Sequence, residues 1–569
     1  MITQIDLHTH TTASDGTLTP TELVDLAVAK NLSSIAITDH DSMDGLYEAY
    51  ERARYYKEQG IDIEVIGGME LSSDYHGKDI HIVGLFLDPD SDYLKRRMEA
   101  FRQSREKRNI EMCERLTQGG MPITYEEMLN TFPNSVLTRA HFAKMLVMKG
   151  FVSSNKEAFD RFIGDGKPYF VTRKKKSPYR AIEIVRKAGG FPILAHPMQY
   201  KMGESTLTAF VKALKDSGLM GIEAIYSTHT PSDEREIRRI ATEFDLAISG
   251  GSDFHGTNKP TIDLGCGTGH LFVPSDLLTI IKARHNETVN SDSSEGFNLP
   301  KILFTDLDGT LLRDDKTISE YTYDVLRRFT EQGNFLALCT GRDINSVNKV
   351  YRDLCFDKFK NVYTIAYNGG QIYDCSNKKT LFKTTLKKED VSYIMAEAKK
   401  DDLYFQTYSD TNVITYEETE ESRFYARVIK TPYIFTDDIE GALDSDGPCK
   451  CLMIDLHDKN KTDRFIERMT PWADEHNISL MYSNPHYVEA FPSTSGKGAS
   501  VDILCKLLSI PGLIPICAGD EENDISMLNA ADVAIGMLNG IPAIHNASSL
   551  VTAYDNNNDG LAHELEDFM

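Results

Sequence analysis

The sequence is poor in cysteine and in positive charge, and it has no long apolar segment. Nine cysteines are scattered through 569 residues, and their odd number and scatter predict reduced thiols rather than a disulfide framework. No apolar run approaches the length of a membrane span, and the first residues lack the basic and apolar segments of a signal peptide. We therefore expect a cytoplasmic protein without a membrane partner, whose oligomeric state the sequence leaves open.

Acidic residues outnumber basic ones by 86 to 62, which gives a formal net charge of −24. This excess argues against general binding to nucleic acid or to a membrane surface, because both are polyanions. It leaves room for a local basic site that holds a small phosphorylated molecule. The length is too great for one domain and suits two or three.

A small polar segment, Asn290 to Gly296, divides the chain and is typical of a linker. We predict a first unit at residues 1–288, a linker at 289–299 and a second unit at 300–569. Residues 95–170 are rich in helix formers and charge, and we expect a helical insertion there. Residues 375–490 carry no catalytic motif, and we expect them to form a cap of mixed helices and strands.

In the first unit, short apolar runs repeatedly lead into a residue that can bind a metal. The candidate ligands are His8, His10, Asp15, His40, Glu70, His81, His196, Asp253 and His255. Apolar strands that end in such residues, with helices between them, are typical of an α/β barrel whose site lies at the carboxyl ends of its strands. Imidazoles and carboxylates held together bind divalent cations that activate water. One His-x-His pair would be weak evidence, but the whole set predicts a multi-metal hydrolytic centre.

Five motifs of this unit resemble, in order, those of the PHP (polymerase and histidinol phosphatase) family. They are Asp6-Leu7-His8-Thr9-His10, Thr38-Asp39-His40, Gly68-Met69-Glu70, Ala195-His196-Pro197 and Gly251-Ser252-Asp253-Phe254-His255. The resemblance implies a distorted (β/α)7 barrel with two or three manganese, zinc or iron ions. It assigns His8, His10, Glu70 and Asp253 to the first metal, Glu70, His81 and His196 to the second, and Asp15, His40 and His255 to the third. Asp39 is expected to support these ligands rather than to bind metal.

The insertion contains Thr138-Arg139-Ala140-His141-Phe142. This segment resembles the PHP branch of nucleoside 3′,5′-bisphosphate phosphatases and of enzymes that trim RNA from its 5′ end. Arg139 could hold a second phosphate through paired hydrogen bonds, or form a surface salt bridge. We predict Arg139, His141 and His229 as substrate-binding residues. The basic cluster at residues 173–176 is either a solvated loop or part of the same patch.

The second unit places Asp306-Leu307-Asp308-Gly309-Thr310 after an apolar strand. Four motifs follow in order: Thr340-Gly341-Arg342, Tyr367-Asn368-Gly369-Gly370, Gly496-Lys497-Gly498 and Gly519-Asp520 with Asn523-Asp524. The set resembles the haloacid dehalogenase (HAD) superfamily and, with its predicted cap, the Cof-type branch. The resemblance implies a Rossmann-like core that carries an α+β cap and acts on small phosphorylated metabolites.

The same resemblance implies a role for each motif. Asp306 would attack phosphorus to form an aspartyl-phosphate, and Asp308 would protonate the leaving oxygen. Lys497 would neutralise the phosphoryl group. Mg²⁺ would lie between Asp306, Asp520 and the backbone carbonyl of Asp308, with Asp524 in support, since hard cations prefer oxygen ligands. The candidate substrate-side residues are Thr340, Gly341, Arg342, Asn368 and Asn523.

We therefore expect a bifunctional phosphohydrolase with two sites. Its first half would act on a nucleoside bisphosphate such as adenosine 3′,5′-bisphosphate (pAp), and its second half on a small phosphomonoester. Three alternatives remain open. The first half could be a 5′→3′ exoribonuclease on short RNA, although the acidic net charge disfavours long RNA. One half could be a sensor without activity, or the second site could use the product of the first.

Overall fold

The computed structural model describes residues 2–75, 77–132, 137–164, 166–171, 176–290, 297–428, 431–484 and 486–569. The chain folds into two compact units, Met1–Leu299 and Pro300–Met569. Within the described part of the chain, no helix combines the length and the apolarity needed to cross a membrane.

The first unit is built on an eight-stranded sheet in the order β7-β6-β5-β4-β3-β2-β1-β8. The strands are β1 (Gln4–Thr9), β2 (Ser34–Ile37), β3 (Glu64–Tyr75), β4 (Lys78–Leu85), β5 (Phe191–Leu194), β6 (Gly221–Tyr226), β7 (Ala247–Gly251) and β8 (Val273–Pro274). Hydrogen bonds after β7 close the sheet onto β1: Asp253 N–H donates to His8 O at 2.8 Å, and His10 N–H to Phe254 O at 3.0 Å. The predicted barrel is thus confirmed.

The barrel departs from a regular β/α alternation at β4. This strand is antiparallel to both of its neighbours, β3 and β5, whereas the remaining neighbours from β1 to β7 are parallel. A hairpin therefore replaces one strand–helix–strand unit. Within this hairpin His81 lies opposite Ser72, which is two residues beyond Glu70. The strand β4 therefore supplies an imidazole to the site from within a strand and not from a strand end.

Ten helices are described in the first unit, and four of them form the insertion. They are α1 (Pro20–Ala29), α2 (Leu46–Glu58), the insertion helices α3 (Asp92–Gln118), α4 (Tyr125–Thr131), α5 (Arg139–Met148) and α6 (Asn155–Ala158), then α7 (Pro178–Lys187), α8 (Glu204–Asp216), α9 (Pro231–Glu243) and α10 (Ser275–Asn290). The insertion has its own apolar cluster, with Met112, Leu116, Phe142 and Leu146 fully buried. It is a small packed subdomain and not a loose loop.

The predicted linker and basic cluster fall partly outside the described residues. The helix α10 extends two residues into the predicted linker at 289–299. Residues 291–296 are not described. Phe297 packs in the first unit under the guanidinium of Arg186, 4.9 Å from its ring centroid. Of the basic cluster at 173–176, only Lys176 is described.

The second unit contains two sheets. Its strands are β9 (Lys301–Asp306), β10 (Phe335–Cys339), β11 (Val362–Ala366), β12 (Gln371–Asp374), β13 (Lys379–Lys383), β14 (Tyr404–Tyr408), β15 (Val413–Thr415), β16 (Tyr433–Phe435), β17 (Cys451–Ile454), β18 (Ile478–Asn484), β19 (Tyr487–Pro492), β20 (Ile514–Gly519), β21 (Val533–Gly536) and β22 (Leu550–Val551). The core sheet has the order β13-β12-β11-β10-β9-β20-β21-β22, and the cap sheet has the order β16-β15-β14-β17-β19-β18.

Helices flank both sheets of the second unit. They are α11 (Glu320–Glu331), α12 (Ile344–Asp353), α13 (Lys388–Lys400), α14 (Glu420–Val428), α15 (Ile439–Ala442), α16 (Lys459–Glu475), α17 (Lys497–Leu508), α18 (Ile525–Ala530), α19 (Pro542–Ala547) and α20 (Gly560–Glu566). Six consecutive strands of the core sheet, β9 to β11 and β20 to β22, are parallel, so their carboxyl ends share one edge. This confirms the predicted Rossmann-like core with an α+β cap.

The predicted cap range of 375–490 needs one correction. It includes β13, which the structure places in the core sheet, because β13 pairs with β12 along its length. The cap sheet itself begins at Tyr404.

Candidate active sites

The nine candidate ligands of the first unit converge at one end of the barrel. Their donor atoms form three overlapping groups in which all atoms lie within 4.8 Å of one another: His10, Asp15, His40 and His255; His8, His10, Glu70 and Asp253; and His40, Glu70 and His81. His196 joins them, because its Nε2 lies 3.0 Å from Glu70 Oε1. The structure thus brings together side chains from positions 8 to 255 of the chain.

Glu70 lies at the centre of this cluster. Its Oε2 is 3.3 Å from His8 Nε2, 3.2 Å from His10 Nε2 and 3.1 Å from His40 Nδ1. Its Oε1 is 2.7 Å from His81 Nδ1. A carboxylate that faces imidazoles on both oxygens suits a bridging ligand between two cations. The contact with His40 also links the group assigned to the third metal to the other two.

Several donor atoms of the cluster are oriented for a cation and not for one another. His8 Nε2, His10 Nε2, His40 Nδ1, His196 Nδ1 and Glu70 Oε2 are buried without a hydrogen-bond partner among the described residues. Unpaired buried polar atoms are costly, and four unpaired imidazole nitrogens in one cluster with an unpaired carboxylate oxygen are expected where an ion binds. The donor set, imidazoles with carboxylates, fits manganese, zinc or iron.

The protonation states follow from burial and from the facing carboxylates. Burial lowers the pKa of His40 to about 3, which keeps its imidazole neutral, as a metal ligand must be. Burial alone would raise the pKa of Glu70, but His81, His40 and His8 hold it well below its ordinary value. At His10, Asp253 and Glu70 overcome the effect of burial and raise the pKa to about 9. Metal binding there must displace a proton.

Residues outside the motifs fix the orientation of the ligands. Glu223 in β6 accepts a hydrogen bond from His8 Nδ1 at 3.1 Å and from His196 N–H at 2.8 Å. Tyr226 OH donates to Asp253 Oδ2 at 2.8 Å. Sequence reasoning missed both residues. The signal was present, since Glu223 is an acid inside the apolar run Ile222 to Ile225, where a strand-end ligand would be expected.

Two candidate ligands have a backbone conformation that side-chain-bearing residues rarely adopt. The φ angle is +26° at His196 and +57° at Asp253, in the region that favours glycine. Such strain persists where the surrounding structure requires a side chain to point in one direction.

Asp39 has a different task, because it accepts hydrogen bonds from Thr11 and Ser14 at 2.5–2.7 Å and shapes the loop after β1.

A cavity of about 440 Å³ joins the cluster to the insertion. One side is formed by Asp15, His40 and His81. The other side is formed by Arg105, Arg108 and Arg139 together with the rings of Phe159 and Phe170. Arg139 lies 5.2 Å from the Phe170 ring centroid, and Arg105 forms an ion pair with Asp41.

Arg139, which lines this cavity, was predicted from the sequence as a substrate-binding residue. The other two arginines were missed. Arg105 and Arg108 lie three residues apart on α3, and therefore on one face of that helix. Both are buried, with 7% and 8% of their surface exposed. In the sequence they look like part of a solvated, charged helix.

The other two predicted substrate residues do not line the cavity. His141 is buried, and its Nδ1 accepts the Thr138 backbone N–H at 3.0 Å, which caps α5. His229 donates from Nδ1 to Ala224 O at 3.0 Å and packs against the ring of Tyr226. Lys176 is buried beside Asp41, 3.3 Å from its Oδ1, and covers the ring of Phe101. It therefore contributes to packing rather than to a solvated loop.

In the second unit, three carboxylates meet at the carboxyl edge of the core sheet. Asp306, Asp520 and Asp524 lie within 4.8 Å of one another, and Lys497 Nζ lies 2.6 Å from both Asp306 Oδ1 and Asp524 Oδ1. Burial and the neighbouring carboxylates raise the pKa of Asp306 to about 7, against the opposing charge of Lys497. Three buried carboxylates with one ammonium group, which contacts two of them, fit a further hard cation such as Mg²⁺.

Gly309 permits the close approach of two motifs. Its φ is +84°, and a Cβ at this position would lie 2.2 Å from Asp520 Oδ2. The backbone of the first motif can therefore approach the carboxylate only with glycine here.

Asp308 is held in an ion-pair network. It accepts hydrogen bonds from Arg342 Nη2 at 2.6 and 2.7 Å, and Lys316 Nζ lies 2.8 Å away. Partial burial would raise the pKa of Asp308, but Arg342 and Lys316 hold it below its ordinary value. Asp308 is thus ionised in this structure. A substrate phosphate that draws these cations away would allow it to take up a proton.

The remaining candidates of the second unit surround this centre. The Thr340 hydroxyl accepts the Arg342 backbone N–H at 3.2 Å, and Asn523 is half-buried beside Asp524. Asn368 donates to Glu489 Oε2 at 2.9 Å. Glu489 in turn pairs with Lys450 at 2.6 Å, and Lys450 donates to Gly341 O at 2.9 Å. These two cap residues, which sequence reasoning missed, tie the cap to Gly341 and Asn368.

Comparison with known proteins identifies both halves. Residues 6–164 match the PHP domain family, and residues 303–565 match the haloacid dehalogenase-like hydrolase family. A 5′-3′ exoribonuclease of Haemophilus influenzae is 39% identical over 255 residues, which are 45% of this chain and 91% of that protein. The chain joins a PHP domain to a haloacid dehalogenase-like hydrolase domain. It is a phosphoester hydrolase whose domains belong to families that act with divalent metals.

Further relatives resemble each domain separately. A 3′,5′-nucleoside bisphosphate phosphatase of Chromobacterium violaceum is 33% identical over 262 residues, which are 46% of this chain and 90% of that enzyme. The crystal structure of a haloacid dehalogenase-like hydrolase from Bacteroides thetaiotaomicron shares 26% identity with a TM-score of 0.44. It covers 48% of this chain and 100% of that one. The relatives of the PHP domain are thus named for two different activities.

Proposed function

We propose that the PHP domain removes a phosphate group from a nucleoside 3′,5′-bisphosphate such as pAp. The observation that carries this proposal is the cavity in which the ligand cluster faces three arginines. Guanidinium groups bind phosphate oxygens in pairs, so one phosphate can lie at the cluster while the arginines hold the other. The relative named as a nucleoside bisphosphate phosphatase supports the same substrate.

The chemistry divides between the metals and the protein. When bound, two or three manganese, zinc or iron ions would activate water and stabilise negative charge on phosphorus. Glu70 and the surrounding imidazoles hold the cluster together, and Glu223 keeps His8 and His196 in orientation. In the reaction the phosphorus–oxygen bond to the ribose breaks. Water supplies the new oxygen of the released phosphate, and the ribose oxygen leaves as a hydroxyl with a proton from water.

A second candidate activity is the 5′→3′ removal of nucleotides from short RNA. The 39% identity to an exoribonuclease favours it, and the same arginines could hold a backbone phosphate. The two activities differ in the bond that is broken, a terminal phosphomonoester for pAp and a phosphodiester for RNA.

Turnover of the two substrate types separates these activities. The test uses the full-length Asp306→Asn variant, so that only the PHP domain acts, with manganese and with pAp or a 5′-phosphorylated tetraribonucleotide. We expect a kcat/KM for pAp at least about tenfold above that for the oligonucleotide, a margin of about 1.4 kcal/mol. The reverse ratio would replace the proposal with the exoribonuclease activity. Turnover of neither would contradict both.

For the HAD domain we propose hydrolysis of a small phosphorylated metabolite through an aspartyl-phosphate, with Mg²⁺ bound by Asp306 and Asp520. The observation that carries this proposal is the buried Asp306 held by Lys497 beside two further carboxylates. Asp306 attacks phosphorus, and Asp308 gives a proton to the departing oxygen. Asp308 then takes a proton from the water that attacks the aspartyl-phosphate, which releases phosphate and restores Asp306.

A panel of phosphomonoesters tests this proposal. We expect the full-length protein with Mg²⁺ to release phosphate from p-nitrophenyl phosphate and from some metabolites, and the Asp306→Asn variant to lose this activity. Nucleoside monophosphates belong in the panel, because coupled sites would make the product of the PHP domain a substrate here. Activity that survives in Asp306→Asn would contradict the nucleophile assignment.

A further inference from the structure

A second cavity, of about 730 Å³, lies between the core and the cap of the HAD domain and begins at Asp308. Five basic and two acidic side chains line it, in a chain whose acidic residues outnumber its basic ones overall. The basic residues are Lys316, Arg342, Lys349, Arg352 and Arg427, and the acidic ones are Asp308 and Asp353. The proposed hydrolysis gives no task to three of these basic residues.

Lys316 and Arg342 already have a carboxylate partner, because both pair with Asp308. Lys349, Arg352 and Arg427 differ from them. Among the described residues no carboxylate forms an ion pair with any of these three. All three side chains are exposed, so water and salt screen their mutual repulsion. An anion in the cavity would therefore meet three accessible cations that line it together.

The position of these three cations follows from the helices that carry them. Lys349 and Arg352 lie on α12, four and seven residues beyond Asn345, which corresponds to about 6 and 10 Å along the helix axis. Arg427 comes from the cap helix α14. Cap and core are tied beside the cavity, since Thr431 Oγ1 donates to Asp343 Oδ1 at 2.7 Å and Asn345 Nδ2 to Asp410 O at 2.9 Å.

We propose that the substrate of the HAD domain carries a second anionic group, a phosphate or a carboxylate, on its leaving group, and that Lys349, Arg352 and Arg427 bind this group. The inference rests on the proposed HAD activity and narrows its substrate class. The transferred phosphoryl group would lie at Asp306, and the second anion would lie in the cavity beyond Asp308, between α12 and Arg427. Charge-assisted hydrogen bonds are the stronger class, so each cation contributes to recognition.

Two matched substrate pairs test the inference in the full-length protein with Mg²⁺, with the phosphate released by Asp306→Asn subtracted. Glycerol 3-phosphate and 3-phosphoglycerate differ by a carboxylate in place of a hydroxymethyl group. Fructose 6-phosphate and fructose 1,6-bisphosphate differ by a phosphate. We expect kcat/KM to be at least about tenfold higher, in one pair, for the member with two anionic groups, which also identifies the second group as carboxylate or phosphate.

Single variants then locate the effect. Lys349→Ala, Arg352→Ala and Arg427→Ala should each lower kcat/KM for the preferred substrate about tenfold, mainly through KM, and leave kcat/KM unchanged for its partner that lacks the second anionic group. Arg423→Ala is the matched control, because Arg423 lies one turn earlier on α14, pairs with Glu418 at 3.4 Å and does not line the cavity. Calorimetric binding of each pair to Asp306→Asn should give the same ranking without turnover.

The outcomes distinguish this inference from the activity on which it rests. If the protein hydrolyses p-nitrophenyl phosphate with Asp306 but shows no preference within either pair, the inference is wrong and the proposed activity stands. Equal losses for both members of the preferred pair would also overturn it. If no phosphomonoester, p-nitrophenyl phosphate included, is hydrolysed in an Asp306-dependent way, both proposals fail.

Discussion

Both halves of this protein belong to families that hydrolyse phosphoester bonds, but their centres are built from different side chains. The PHP domain gathers six imidazoles and three carboxylates at the end of its barrel, whereas the HAD domain uses carboxylates and one lysine at the edge of its sheet. Imidazole-rich sites suit manganese, zinc or iron, and carboxylate-rich sites suit Mg²⁺. The difference also concerns the nucleophile, which we propose is water in the first half and Asp306 in the second.

A common feature appears beside each centre. In both halves an added element contributes to a cavity that begins at the site: the insertion brings three arginines to one, and the cap brings Arg427 to the other. The centres determine the chemistry, and these added elements would select the substrate. The following predictions test this division, from the largest expected effect to the smallest.

Removal of all divalent metals should abolish both activities, and re-addition should separate them. We expect Mg²⁺ alone to restore hydrolysis by the HAD domain, and manganese to be needed for the PHP domain, because their ligand types differ. The measurement is phosphate release from p-nitrophenyl phosphate and from pAp after treatment with a chelator. Full recovery of both activities with Mg²⁺ alone would contradict the expected difference in metal requirement between the two domains.

Replacement of Lys497 by methionine should cost the HAD domain both activity and stability. The change leaves Asp306 and Asp524 buried without their shared cation, and breaking a buried pair costs about 3–5 kcal/mol. We expect at least a thousandfold lower kcat for the HAD substrate and a lower unfolding temperature by calorimetry. Hydrolysis of pAp is the internal control and should not change.

The Glu223→Gln variant should weaken metal binding by the PHP domain about 10–100-fold, the usual effect of losing a group that orients a ligand. The glutamine amide carries no negative charge, so its hydrogen bonds with His8 Nδ1 and the His196 backbone N–H are weaker than those of the carboxylate. Metal titration of the full-length protein, followed by mass spectrometry of bound metal, measures this change. An unchanged affinity would show that His8 and His196 need no such support.

The smallest effect is expected at Arg139. Its replacement by alanine should raise KM for pAp about tenfold with little change in kcat, because the residue would bind the distant phosphate and not the reacting one. Lys167→Ala is a control from the same insertion, since Lys167 does not line the cavity. Equal changes in both variants would point to a general charge effect.

The sequence revealed the centres better than their surroundings, and the reason is physical. Candidate ligands such as His8, His196 and Asp253 follow apolar strands, so a local pattern points to each of them, and the family resemblance confirmed on comparison adds their order. Arg105 and Arg108 look like any charged pair on a long helix, and only the tertiary packing of α3 buries them.

Some side chains have two physically equivalent uses that a sequence alone does not separate. His141 could bind a substrate or cap a helix, and the structure shows the cap. Lys450, which opens an apolar strand, gave no sign that it would be buried against Glu489. The pairing of β13 with β12 is a contact that composition does not encode, which explains why the predicted cap began too early.

The account depends most directly on the independence of two metal-supported centres in one chain. Its decisive measurement is a reciprocal assay of full-length Asp306→Asn and His40→Ala variants on pAp with manganese and on the HAD substrate with Mg²⁺. We predict that Asp306→Asn loses only the HAD activity and that His40→Ala loses only the pAp activity. A single variant that loses both activities while it remains folded would contradict the two-centre account.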